Sequence, residues 1–138
     1  AALITPNLHE AARLLDRAAA ETDAEAERQA EDLLRLGAQA VLLKGGHGSG
    51  IEAIDYLATA SGTEHFAKPR IATSNTHGTG CTLAAAVTAG LASGLALPLA
   101  VRNAKEYLWQ ALAAGAQMRI GHGNGPVDHL HALGRNPE

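Results

Sequence analysis

Four consecutive apolar residues, Ala40-Val41-Leu42-Leu43, run into Lys44 and then a glycine-rich stretch. A strand with one face in water alternates apolar and polar residues, whereas one that is apolar at every position is expected to be covered on both faces. That pattern points to a layered α/β fold with a mostly parallel sheet sandwiched by helices. Aromatic residues make up only 3% of the chain while alanine occurs 30 times, so the layers are built from small side chains that let helices lie close to a sheet. At 138 residues and 46% hydrophobic, the chain has the size of one globular unit.

The remaining elements are read from caps and periodicity. Ala2-Leu3-Ile4 is the end of a buried strand, and Thr5-Pro6-Asn7 leads into a helix. Asn7 with Glu10 forms a capping box for a helix reaching about residue 20, and Thr22 with Glu25 repeats that spacing for a second helix. There Ala26, Ala30, Leu33 and Leu34 share one face, and Gly37 is placed to close the helix in a left-handed conformation. Residues 55–59 and 64–67 flank Ser61-Gly62 as a hairpin. A polar loop over residues 73–80 enters a small-residue helix from Cys81 to about Ser93, and Pro98 marks the first turn of another, to about Gln117. The glycines of residues 121–125 exclude regular helix, and His129-Leu130-His131 is a short strand or coil. Any parallel crossover should be right-handed.

Several function classes are excluded early. A net charge of −3 without a basic run gives no surface for nucleic-acid phosphates. The most apolar stretch, residues 83–97, is interrupted by Ser and Gly and is shorter than the roughly 20 residues of a membrane helix. A lone Cys81 excludes an internal disulfide framework and is compatible with a reducing cytoplasm. The seven histidines, His122, His129 and His131 among them, lack the Cys partners or helical His pair of a zinc site and read as surface or tail residues. No basic n-region precedes the opening apolar run, and the only Met is Met118, which suggests a piece of a longer chain.

The most informative segment is Asn75-Thr76-His77-Gly78-Thr79-Gly80-Cys81-Thr82. Its glycines allow unusual backbone angles, and the helix that follows would aim the amides of Gly80, Cys81 and Thr82 at an anion such as a phosphate. The plainer reading is a tight strand-to-helix connection capped by Thr79. No Walker A string and no Gly-x-Gly-x-x-Gly spacing occurs, so any phosphate is handled in a different mode. Cys81 is either a small buried hydrophobe or, at a helix start that favours thiolate, a proton acceptor or nucleophile; its place after a Gly-Thr-Gly turn favours the latter. Lys44 leaves the carboxyl end of its strand, where open α/β sheets bind ligands, as a phosphate contact or a solvated lysine. Asn7 and Glu10 are explained by a capping box alone, yet they follow a strand to the same sheet edge.

Four strings, Thr5-Pro6-Asn7-Leu8-His9-Glu10, Val41-Leu42-Leu43-Lys44-Gly45-Gly46-His47, residues 75–82 and Gly121-His122-Gly123-Asn124-Gly125-Pro126-Val127, resemble in the same order the hydroxymethylpyrimidine and phosphomethylpyrimidine kinases of thiamine biosynthesis, in the ribokinase-like superfamily. The resemblance covers essentially the whole chain and implies a partial ribokinase-like α/β/α sandwich, residues 1–138 being the carboxyl-terminal part of one kinase domain. It further implies ATP-dependent phosphorylation of 4-amino-5-hydroxymethyl-2-methylpyrimidine and then of its monophosphate. In that picture Gly78, Thr79, Gly80 and Cys81 are catalytic, as anion hole and proton acceptor. Lys44 and Thr76 face the nucleotide phosphates, and Val101, Ala104 and Lys105 lie near the adenine. Asn7 and Glu10 organise Mg2+ through water. The wider superfamily usually carries Asp where this chain has Cys81, so the thiol takes over the role of base, chiefly in the first transfer. The pyrimidine pocket belongs to the other half of such enzymes, so weak or no turnover is expected of this chain by itself. The resemblance also implies a cytoplasmic protein and a homodimer, with the hairpin and first strand as contact surfaces. The rivals are a pyridoxal-type kinase of the same superfamily and a noncatalytic nucleotide-binding module.

Overall fold

The computed structural model describes residues 1–45 and 50–133. Its elements are α1 (Leu8–Leu15), α2 (Asp23–Arg35), β1 (Ala40–Lys44), β2 (Glu52–Thr59), β3 (Gly62–Pro69), α3 (Thr79–Ala92), α4 (Leu97–Gly115) and a 3-10 turn, His131–Leu133. They group into two compact units, Ala1–Arg70 and Ile71–Glu138.

In the first unit the sheet has the order β1-β2-β3. The fully apolar strand is buried on both faces as expected. Val41, Leu43, Tyr56 and Ala58 pack with Leu8 and Ala11 of α1 and with Ala26, Ala30 and Leu33 of α2. On the opposite face Leu42 and its register partner Leu57 are equally buried. The sense of the sheet differs from the expectation: β1 with β2 and β2 with β3 are antiparallel. The reason is chain length, because residues 45–51 are fewer than the roughly dozen a parallel crossover needs. Among the described residues of this unit, parallel pairing is confined to the side of β1, where the opening segment forms isolated bridges, Ile4 to Val41 and Asn7 to Lys44. There Ile4 N–H donates to Ala40 O at 3.1 Å, and the amides of Leu42 and Lys44 donate to Ile4 O and Pro6 O at 2.8 Å.

Both predicted capping boxes are formed. α1 is shorter than expected: it stops at Leu15 because Asp16 takes a left-handed conformation, φ 51°, and its amide turns back to Ala12 O and Arg13 O. Gly37, φ 108°, follows the end of α2. The hairpin is longer than the sequence indicated, spanning Glu52–Thr59 and Gly62–Pro69.

In the second unit α3 packs on α4, and a Cβ at Gly90 would lie 3.0 Å from the Ala100 Cβ, so a bare backbone is what allows this approach. α3 starts at Thr79, two residues before Cys81, and α4 ends at Gly115 rather than Gln117. The tail makes no His129-centred strand among the described residues. Its strand-like contact is His77 with Pro126, and a single 3-10 turn follows.

Candidate functional site

In the first unit, Asn7, Glu10 and Lys44 meet at one edge. Asn7 is the N-cap of α1; its Oδ1 accepts from the Glu10 amide and its own amide donates to Glu10 Oε2, each at 2.8 Å. The parallel bridge sets Asn7 beside Lys44, the last residue of β1. Glu10 is exposed and Lys44 half-buried. Lys44 stands opposite Asp55 in register, and the buried Asp55 Oδ1 accepts from the Gly45 amide at 3.0 Å. Gly45 has no alternative residue: a Cβ there would lie 2.0 Å from Ile54 O. The rest of the glycine-rich loop quoted in the sequence, residues 46–49 with His47, lies outside the described residues.

In the second unit the Gly-Thr-Gly segment forms the turn that opens α3. Gly78 is the N-cap of α3 with φ 83°, a left-handed conformation that glycine adopts without the Cβ penalty. Thr79 therefore begins the helix and does not cap it. Of the three amides expected to be open, that of Thr82 is taken, donating to Gly78 O at 2.9 Å. Gly80 and Cys81 stand in the first turn, where an amide has no carbonyl four residues back inside the helix. Cys81 is exposed, which excludes the reading of a buried hydrophobe. Thr76 is exposed as well, and its carbonyl accepts from the Thr79 amide at 3.3 Å. Val101, Ala104 and Lys105 occupy one face of α4 at helical spacing and are all buried, so they offer a nucleotide little surface.

Sequence reasoning missed what holds this turn. Asn75 is buried and its Nδ2 donates to Gly115 O and Met118 O, both at 2.7 Å, tying the start of the motif to the end of α4. A Cβ at Gly125 would lie 2.2 Å from Asn75 Oδ1, so that glycine of the tail makes room for the tether. His77 N–H donates to Gly125 O at 3.1 Å. His129, read as a tail residue, has its Nε2 2.9 Å from Thr82 Oγ1. A residue's place in the quoted string signals none of these partners, because all are distant in sequence.

Comparison with known proteins gives the context for this geometry. A family model described as phosphomethylpyrimidine kinase matches residues 1–128. The hydroxymethylpyrimidine/phosphomethylpyrimidine kinase of Rhizobium meliloti is 50% identical over 131 residues, 95% of this chain and 49% of that protein. Among solved structures, pyridoxal kinase of Bacillus subtilis in an ADP complex is 34% identical with a TM-score of 0.89, over 96% of this chain and 49% of the other. Pyridoxal kinase of Staphylococcus aureus with AMP-PCP and pyridoxal is 32% identical, also with a TM-score of 0.89, over 99% of this chain and 50% of the other. The chain thus spans about half the length of the curated relatives it matches. The ribokinase-like α/β class expected from the resemblance is borne out, and no helix among the described residues is long and apolar enough to cross a membrane. With 128 residues matched in order and the quoted motifs falling inside that match, the chain belongs to the phosphomethylpyrimidine kinase family.

Proposed function

We propose that this chain is the carboxyl-terminal, phosphate-handling part of an ATP-dependent kinase domain that phosphorylates 4-amino-5-hydroxymethyl-2-methylpyrimidine and then its monophosphate in thiamine biosynthesis. The observation that carries this reading is the opening of α3: a left-handed Gly78, first-turn amides at Gly80 and Cys81, and an exposed thiol beside them. Phosphoryl transfer is mostly positioning and charge neutralisation, and helix-start amides favour the negative charge spread over the transferred group. In the first transfer the substrate hydroxyl oxygen bonds to the γ-phosphorus, the bond to the bridging oxygen of ADP breaks, and Cys81 Sγ takes the hydroxyl proton. The second transfer starts from a phosphate oxygen that needs no base. Lys44 and Thr76 are the phosphate-side contacts of the nucleotide; the burial of Val101, Ala104 and Lys105 leaves the adenine assignment the least supported.

Among the described residues no group of three His, Cys, Asp or Glu side chains could cage a metal ion. The chemistry at Asn7 and Glu10 nevertheless fits magnesium, which keeps several of its waters. Glu10 commits Oε2 to the Asn7 amide and is exposed, so its other oxygen can meet a metal-bound water. When bound, magnesium neutralises phosphate charge.

The test is turnover by the full-length protein that contains this chain, with both acceptors. Cys81→Ser should slow the first phosphorylation about 100-fold and the second much less, while Gly80→Ala should slow both. Unchanged turnover of the unphosphorylated pyrimidine in both variants would refute these roles. A second reading, a pyridoxal-type kinase, is favoured by the likeness to structures of pyridoxal kinases, one with pyridoxal bound. Competition between pyridoxal and the hydroxymethylpyrimidine for phosphorylation separates the two. The same reading makes the protein a cytoplasmic homodimer, which fractionation and light scattering check.

A further inference from the structure

We infer that His129 is a positioning residue for the opening turn of α3, acting through Thr82; the functional consequence rests on the kinase reading above. Thr82 is buried and lies in the first turn of α3. Its hydroxyl donates to Gly78 O at 2.8 Å, and its amide donates to the same carbonyl at 2.9 Å. A hydroxyl has one proton and two lone pairs. With that proton committed to Gly78 O, Thr82 Oγ1 meets His129 Nε2, 2.9 Å away, as an acceptor. His129 therefore carries its proton on Nε2, and the relay runs from imidazole to hydroxyl to the carbonyl of the left-handed glycine. The far end is anchored too: Tyr107 of α4 donates its hydroxyl to His129 O at 2.8 Å. Gly78 O is the carbonyl of the residue whose φ of 83° aims the amides of Gly80 and Cys81, so orienting it orients them.

Loss of the relay should loosen the turn without removing any group that touches the phosphoryl. In the full-length protein, His129→Phe should lower kcat about 10-fold, the scale of one hydrogen bond to a buried group, with KM for ATP nearly unchanged. Thr82→Val should reproduce that loss, and the double variant should be no worse than either single change, as for residues in one network. His129→Gln, whose amide nitrogen can donate, should recover most of the rate. A second readout is independent of turnover: imidazole nitrogen shifts in NMR should report the Nε2–H tautomer of His129, and its preference should vanish in Thr82→Val. The backbone amide signals of residues 79–81 should move in His129→Phe. If His129→Phe leaves both kcat and those amide signals unchanged, or if the two substitutions prove additive, the inference is overturned. If the wild type turns over no acceptor while the tautomer and the amide shifts behave as described, the kinase reading fails and the positioning role of His129 stands.

Discussion

At the scale of single residues, the two glycines around the motif serve different ends, and substitution separates them. Gly78 has nothing within 4 Å of where a Cβ would sit, so Gly78→Ala meets only the left-handed backbone penalty of about 1–2 kcal/mol. Gly125→Ala drives a methyl into the Asn75 side chain, whose Oδ1 would be 2.2 Å away. It should displace Asn75 from two carbonyls and cost about 3 kcal/mol, close to the cost of Asn75→Ala itself. Urea midpoints of the three variants check the ranking: Gly78→Ala should be the mildest. The capping pair Asn7 and Glu10 was legible in the sequence because its bonds close within three residues, where spacing alone dictates geometry. Asn75 and His129 were not. Their partners lie 40, 43 and 47 residues away, and no local pattern encodes a contact formed only when helices pack.

At the scale of elements, α2 shows how a cap and a sheet contact reinforce each other. Thr22→Ala removes the side-chain oxygen that meets the Glu25 amide and should cost about 1 kcal/mol. Asp23, the first residue of α2, accepts from the Tyr56 hydroxyl of β2 at 2.7 Å. Burial, and then that bond to a carboxylate, push the Tyr56 hydroxyl well above its ordinary value. A group raised in the folded state contributes stability that is complete below its unfolded value, about pH 10, and declines as pH rises toward the folded value. Unfolding measured between about pH 9 and 11 should lose a component of its alkaline dependence in Tyr56→Phe. At the contact between α3 and α4, Gly90→Leu should cost about 3 kcal/mol, because Ala100 leaves no room for a side chain. Element identity was readable from caps and from the apolar run at residues 40–43, and so was burial on both faces. Strand direction was not, since an apolar run records that both faces are covered and says nothing of which way the neighbour runs.

At the scale of the molecule, the chain matches about half the length of its curated relatives, so its own turnover should be small. We expect this 138-residue chain alone to phosphorylate the pyrimidine at less than about a hundredth of the rate of a full-length relative, since reacting groups that are incompletely positioned lose that much. Binding of ATP with magnesium, followed by calorimetry, should persist; robust turnover by the isolated chain would contradict the expectation. The family itself was legible because four strings occur in a fixed order, which no single glycine turn would establish. The carbonyl of Ile54 sits where a side chain at position 45 would begin, so a mutant library aimed at new acceptors must hold that codon at glycine while its neighbours are randomised, and clones that escape the restriction should drop out at the expression screen before any assay.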